Sequence, residues 1–127
     1  MPTANRYLFA AAALSLMLAV VLSAYGTHGL QANLNESVWS AYETALQYQF
    51  YHSLGLIGTT LTAAKFPDSR LIALSGWLLL AGIVLFCGSI YATSFGAPAI
   101  VGAVAPIGGT AFMAGWLALT IGILRAR

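Results

Sequence analysis

Two histidines and a glutamate are the residues of this sequence whose side chains could carry chemistry. His28 lies in a glycine-rich turn, whereas Glu43 and His52 lie on one uninterrupted helical stretch. Imidazole and carboxylate groups bind metal ions, and two histidines from different helices can ligate haem. No HxxxH or HxxE spacing links the three residues, and both histidines are expected near the same membrane boundary. We therefore predict no metal and no cofactor.

The sequence also gives little support for catalysis. Ser53 follows His52 directly, but adjacent residues of a helix point about 100° apart and do not form a nucleophile–base pair. There is no GxxxxGK or GxGxxG element that would bind phosphate. Glu36 and Glu43 are expected on a solvated helix face. We therefore predict that the protein is not an enzyme.

The composition places these polar residues in a membrane protein. Of the 127 residues, 60% are apolar and 6% are charged, and the mean hydropathy is +0.85, whereas about a quarter of a soluble domain is charged. Lipid must therefore cover much of the surface. The five basic residues lie at the ends of apolar segments rather than among aromatic residues, which argues against nucleic-acid binding. The single cysteine, Cys87, excludes an intrachain disulfide.

Long uncharged segments predict an all-α protein, a bundle of four transmembrane helices in one integral membrane domain over residues 1–127. The spans are expected at residues 7–24, 48–64, 71–92 and 107–124. The second helix has no internal proline over residues 36–65. At about 45 Å it would exceed a hydrocarbon core of about 30 Å, so its first part is expected at headgroup level.

The basic residues determine the expected orientation. With four spans, all of them fall on one side of the membrane, namely Arg6, Lys65, Arg70, Arg125 and Arg127. Because cytoplasmic loops are enriched in Lys and Arg, both termini are predicted to be cytoplasmic. The first span could instead be a cleaved signal peptide, which would leave the remaining orientation unchanged. Its apolar core is longer than the roughly 7–15 residues of a typical signal peptide, which favours a retained helix.

Four polar or glycine-marked segments are expected to meet at the outer membrane boundary. The candidate ligand or packing cluster comprises Gly26, His28, Gly29, Gln47, Tyr48, His52, Ser89, Tyr91, Pro106, Gly108 and Gly109. On one interpretation His52 is neutral and hydrogen-bonds Ser89, Tyr91, Gln49 or a carbonyl freed at Pro106, which would fix the helix packing. On another, the glycine turn and the helix start at Pro106 bind an anionic group such as a lipid phosphate.

These features favour a non-enzymatic, multi-pass protein of the inner (plasma) membrane. The leading hypothesis is an accessory or scaffold protein that binds a membrane lipid, belongs to a larger membrane complex or associates with itself. The alternative is a small homo-oligomeric transporter or channel, because a single chain of this length would need partners to build a pathway. The two differ in their readouts, which are retention of a lipid or partner for the first and solute flux for the second.

Four sequence motifs resemble the YgdD-like family of small bacterial inner-membrane proteins. They are SAYGTHGL at residues 23–30, TALQYQFYH at 44–52, GIVLFCGSIY at 82–91 and APIGGTAFMAGW at 105–116. The resemblance covers nearly the whole chain and implies a four-span protein, with small eukaryotic transmembrane relatives and no established activity. Thr27 and Ala105 stand where the family pattern has Ala and Thr. Ala105 lacks a hydroxyl that could cap the fourth helix, which weakens the case for an anion site.

Overall fold

The computed structural model describes residues 1–127 and is helical throughout. The α-helices are α1 (Thr3–Tyr25), α2 (Glu36–Lys65), α3 (Arg70–Gly82), α4 (Gly88–Ser94) and α5 (Ala105–Arg125). Two π-helical turns, Gly26–Leu30 and Ile83–Cys87, extend α1 and join α3 to α4, and two 3₁₀ turns, Gln31–Asn33 and Ala99–Val104, precede α2 and α5. The prediction of an all-α protein is confirmed.

The prediction of four transmembrane helices is wrong. Three helical segments are long and apolar enough to cross a membrane, namely Thr3–Asn33, Arg70–Ser94 and Ala99–Arg125. Helix α2 has 30 residues but is not among them, because amide, imidazole and hydroxyl side chains interrupt its apolar sequence. These polar residues include Gln47, Gln49, His52, Ser53, Thr59, Thr60 and Thr62. The predicted orientation, with both termini in the cytoplasm, required four spans. It therefore does not follow from the three apolar segments.

Local sequence signals explain where the helices begin and turn. The Asn35 side chain accepts a hydrogen bond of 2.9 Å from the Val38 amide and caps α2. Ser69 caps α3 in the same way, accepting from the Ile72 amide at 3.3 Å. Between α4 and the following 3₁₀ turn, Gly96 has a φ of +105°, a conformation that only glycine adopts readily. These caps and turns place four long helical segments side by side.

Helix α2 lies at the centre of the molecule. It packs against α1 on one side and against α3, the second π-helical turn and α4 on the other, and α3 packs against α5. The hydrophobic core comprises Leu8, Ala12, Ala45, Leu56, Leu79, Ile83, Cys87 and Phe112. The least apolar of the long helices is therefore the one that packs against other helices on two sides.

Glycines allow α5 to approach α3 and the second π-helical turn closely. Gly108, Gly115 and Gly122 recur every seven residues and are buried, which places them on one face of the helix. A Cβ atom at Gly108 would overlap the backbone of Phe86. At Gly122 a Cβ would lie 3.1 Å from the Ile72 amide nitrogen. We call this contact, formed by these three of the four glycines of α5, the glycine seam.

Candidate functional site

Gln49 is the centre of a buried polar network that joins three helices. Its side chain is 4% exposed. Its Nε2 atom donates to the Ser15 carbonyl oxygen of α1 at 2.8 Å and to Ser15 Oγ at 3.2 Å, and its Oε1 atom accepts from the Tyr91 hydroxyl of α4 at 2.6 Å. Ser53 Oγ donates to Ser15 Oγ at 2.7 Å. We call these four residues the Gln49 network.

The spacing of the sequence explains how this network forms. Gln49 and Ser53 are four residues apart, so their side chains lie one above the other on the face of α2 that meets α1. In an apolar bundle such groups need partners within the protein, because lipid supplies none. Every fully buried side-chain nitrogen or oxygen atom has a hydrogen-bond partner. Each fully buried polar atom of the network therefore has at least one partner, which suits a role in helix packing.

His52 lies outside the Gln49 network, and the hydrogen-bond partners predicted for it are wrong. Its Nδ1 atom lies 2.8 Å from the Tyr48 carbonyl oxygen one turn earlier in α2. The ring stacks on Phe112 of α5, with centroids 3.6 Å apart and planes at 20°. Tyr48 and His52 each precede Gln49 and Ser53 by one residue, a rotation of about 100° that turns them from α1 towards α5. His52 thus packs against α5 instead of bonding Ser89, Tyr91, Gln49 or a carbonyl at Pro106.

The hydrogen bond of His52 also sets the tautomer of its neutral ring. A carbonyl oxygen can only accept, so Nδ1 carries the hydrogen and Nε2 keeps its lone pair. Nε2 has no hydrogen-bond partner within the chain, although the residue is only 8% exposed. His52 can therefore accept a hydrogen bond from a ligand.

His52 lies in an open cleft of about 710 Å³ between α2 and α5. The cleft is lined by Tyr48, Tyr51, His52, Phe86, Pro106, Gly109, Thr110, Phe112, Met113 and Trp116. Aromatic rings pack in its walls, with Tyr48 and Phe86 stacked at 4.9 Å between centroids. A Cβ at Gly109 would lie 3.9 Å from Phe86 Cδ2, so a small side chain fits there and a large one would enter the cleft. We call this space the His52 cleft.

Aromatic side chains close the end of the bundle at which α1 ends and α2 begins. Tyr42 is fully buried, and its hydroxyl donates to the Leu22 carbonyl oxygen of α1. Burial, and then the neighbouring Tyr25, raise the pKa of Tyr42, so its hydroxyl stays protonated. Gly26 packs under this ring, since a Cβ there would lie 2.5 Å from Tyr42 Cε1. The ring also meets Tyr91 edge-on, with centroids 5.3 Å apart.

The residues of the predicted cluster lie in several different parts of the structure. Tyr48, His52, Pro106 and Gly109 line the His52 cleft. Tyr91 belongs to the Gln49 network, Gly26 packs under Tyr42, and Gly108 lies in the glycine seam. Gln47 is exposed and lines a shallow hollow with Glu43 and Thr27. Ser89 donates to the Phe86 carbonyl oxygen of its own helical segment at 3.0 Å.

The remaining predicted residues, His28 and Gly29, are exposed on the first π-helical turn. His28 is not among the residues that line the His52 cleft, so the two histidines do not share that site. Nowhere in the chain do three or more His, Cys, Asp or Glu side chains form a group that could hold a metal ion.

Several residues of these sites were not predicted from the sequence. Ser15 and Ser53 complete the Gln49 network, and Phe112 and Trp116 line the His52 cleft. One signal was available, because two polar or aromatic pairs at a spacing of four, residues 48 and 52 and residues 49 and 53, stand side by side on α2. Such a pattern indicates two functional faces rather than one.

The chain is similar to a family of membrane proteins. Residues 22–109 match the family model described as "Protein of unknown function (DUF423)". The UPF0382 membrane protein YwdK of Bacillus subtilis is 37% identical over 113 residues, which are 89% of this chain and 92% of the relative. No solved structure matches the chain.

Two further relatives give the same result. The UPF0382 membrane protein SERP0230 of Staphylococcus epidermidis is 42% identical over 113 residues, covering 89% of this chain and 91% of the relative. A UPF0382 membrane protein of Haemophilus influenzae is 36% identical over 123 residues, covering 97% of each. The designation YgdD-like does not occur among these names and stays a prediction. With its three apolar helical segments, the chain is a multi-pass membrane protein, and it belongs to the DUF423 (UPF0382) family of membrane proteins of unknown function.

Proposed function

We propose that this protein is a non-enzymatic accessory protein of the inner (plasma) membrane that holds the apolar chain of a membrane lipid in the His52 cleft. The observation that carries the proposal is the cleft itself, an open space of about 710 Å³ with aromatic walls and a histidine nitrogen that lacks a partner. Ligand sites are typically concave and mostly apolar, with a few polar groups that fix orientation. The names of the relatives and the apolar helical segments support a membrane location.

The lining favours an apolar chain over a charged headgroup. No Lys or Arg lines the His52 cleft. At the start of α5 the Ala105 amide donates to the Gly102 carbonyl oxygen, and Pro106 has no N–H to offer. The proposed ligand is therefore not the lipid phosphate considered from the sequence. It is a hydrocarbon chain, with His52 Nε2 available to accept a hydrogen bond from a hydroxyl or amide of the same lipid.

The contacts of Ser53 support a role without catalysis. Its hydroxyl donates to Ser15 Oγ on α1, whereas His52 next to it faces α5. The serine and the imidazole therefore lie on different faces of α2 and form no nucleophile–base pair. The proposal of an accessory protein accordingly assigns His52 to binding.

Filling the cleft tests this proposal. Gly109→Leu would place a side chain in the His52 cleft, and Gly58→Leu is the matched control because a Cβ at Gly58 meets no heavy atom within 4 Å. In native mass spectrometry of protein extracted in mild detergent, we expect lipid adducts on the wild type and on Gly58→Leu, and their loss from Gly109→Leu. Equal adducts on the three proteins would contradict the proposal.

The same preparation tests the other hypotheses. A protein that co-purifies with the wild type and is lost from Gly109→Leu would assign the cleft to a protein partner. Solute flux in sealed liposomes containing the wild type, abolished by Gln49→Leu, would favour the homo-oligomeric transporter or channel. Either result would replace the lipid-chain proposal.

A further inference from the structure

A basic pocket lies at the end of the bundle where α2 ends, α3 begins and α5 ends. The glycine seam creates it, since Gly122 lets α5 reach the backbone of Ile72 and so brings the two helix ends together. The pocket has a volume of about 470 Å³, and four basic side chains line it, namely Lys65, Arg70, Arg125 and Arg127. Asp68 is the one acidic side chain of the lining. The lining therefore carries an excess of positive charge.

Only two of these four basic residues are placed where their charge stabilises a helix. Lys65 and Arg125 stand in the last turns of α2 and α5, where a positive charge favourably meets the helix dipole. Arg70 is different, because it is the first residue of α3 and its charge adds to the positive end of that helix. Arg127 lies beyond the end of α5. Arg70 and Arg127 are therefore not explained by the helix dipoles, and both side chains are exposed at the pocket, where they are free to bind an anion between the helix ends.

The position of the pocket indicates where this anion comes from. Arg70 and Arg125 are the end residues of two of the apolar segments that can cross a membrane. The ends of such segments lie at the level of the lipid headgroups. Leu71 and Gly122 continue the wall of the pocket into the apolar part of the bundle. A phosphate here would therefore be attached to a lipid whose chains lie beside α3 and α5.

We propose that this pocket binds the phosphate of an anionic phospholipid. Arginine donates in a fixed fork that matches phosphate oxygens, and a lysine adds a point charge. The site is separate from the His52 cleft, since the two share no residue. The basic pocket selects a lipid headgroup, whereas the His52 cleft accommodates a hydrocarbon chain.

The test measures headgroup preference in the full-length protein. Binding of phosphatidylglycerol and of phosphatidylcholine, each added to protein in neutral detergent micelles, is titrated by native mass spectrometry. We expect phosphatidylglycerol to bind more tightly to the wild type. Arg70→Gln and Arg127→Gln should each weaken its binding about fivefold, which corresponds to ~1 kcal/mol for one cation near a lipid surface. Arg70→Lys should retain part of the preference.

Arg6→Gln is the matched control. It removes the same charge from a residue that lines a different hollow, with Thr3, Tyr7 and Ala10, and should leave phosphatidylglycerol binding unchanged. An equal loss in Arg6→Gln, or equal binding of both lipids to the wild type, would overturn the proposal. Inorganic phosphate that competes at equal concentration would also overturn it, in favour of free phosphate. Arg127 lies outside the helices, so this variant tests the site even if Arg70→Gln fails to fold.

The two proposed sites can fail independently. Gly109→Leu should abolish the retention of a lipid chain in the His52 cleft and leave the preference for phosphatidylglycerol unchanged. Loss of the preference in Gly109→Leu would instead mean that one lipid bridges both sites, which would overturn the assignment of a separate headgroup site.

Discussion

The two main helix contacts of this protein are built in opposite ways. Helices α1 and α2 are joined by hydrogen bonds of the Gln49 network, which connect side chains of both helices to each other and to a carbonyl oxygen. Helices α3 and α5 meet through the glycine seam, where three glycines let backbone and side chains pack closely. In lipid the hydrophobic effect does not drive helices together, so polar bonds and close packing are the two available means. This chain uses polar bonds between α1 and α2 and close packing between α3 and α5.

The difference determines how each contact responds to substitution. A hydrogen bond in a membrane protein contributes modestly, about 0.6 kcal/mol on average, because the unfolded chain finds other partners. Close packing of backbone against backbone leaves no room for even one added carbon atom, and the cost of overpacking rises steeply. The glycine seam should therefore be the more sensitive contact.

Gly108→Leu is expected to have the largest effect. A Cβ there would overlap backbone atoms of Phe86, which cannot move aside as the end of a side chain can. We expect a loss of about 3 kcal/mol or more in the free energy of unfolding, the upper end of the range for overpacking. Equilibrium unfolding in mixed detergent micelles measures it.

Gly88→Leu is the control for this substitution. Gly88 is close to Phe86 in sequence, but a Cβ there would meet no heavy atom within 4 Å. The control should change the free energy of unfolding little. Equal losses in both variants would mean that glycine conformation, rather than close approach, explains the seam.

Gln49→Leu should have the next largest effect. It leaves the Tyr91 hydroxyl and the Ser15 carbonyl oxygen without their partner. The expected loss is about 1–3 kcal/mol, the cost of unsatisfied buried polar groups. Gln47→Leu makes the same change at an exposed position two residues earlier and should be nearly neutral. If both variants unfold alike, the network contributes nothing specific to α1–α2 packing.

The fold class could be predicted from the sequence, whereas the roles of individual polar residues could not. Apolar segments, caps and breakers predict helices because they act locally, as Asn35 and Ser69 show. The number of spans was overestimated because the uncharged part of α2 was counted as a span, although its amide, imidazole and hydroxyl side chains make it less apolar than the three other segments. Several of these side chains are buried against neighbouring helices, a role that local sequence patterns do not reveal.

The surroundings of the candidate site residues could likewise not be predicted from the sequence. The sequence indicated that His52 and Gln49 are polar residues of one helix, but a rotation of about 100° separates adjacent residues. That rotation assigns Gln49 to the α1 side and His52 to the α5 side. Which face meets which helix depends on tertiary packing, in particular on Phe112 of α5, which packs over Gly82 of α3 and stacks on His52. No local pattern encodes that choice.

The hydrogen bond between Ser53 and Ser15 should have a smaller effect that a double-mutant cycle can isolate. Ser53 Oγ donates to Ser15 Oγ at 2.7 Å, so Ser15→Ala and Ser53→Ala should couple by about 0.6 kcal/mol. A cycle of Ser53→Ala with Ser75→Ala serves as the control, since Ser75 donates to the Ile72 carbonyl oxygen of its own helix. Coupling as large in the control cycle would contradict a specific contact between α1 and α2.

The smallest effect we expect is the coupling between the two contacts themselves. Gln49 bonds Ser15 and Tyr91, whereas a Cβ at Gly115 would meet Leu79 Cδ2 at 2.9 Å, so Gln49→Leu and Gly115→Ala share no partner. Their losses in unfolding free energy should add to within about 0.5 kcal/mol, as for independent sites. A larger coupling would show that strain passes between the two contacts, chiefly through α2, which packs against both α1 and α3. The bundle would then respond as one unit, and a ligand in the His52 cleft could alter the packing of α1.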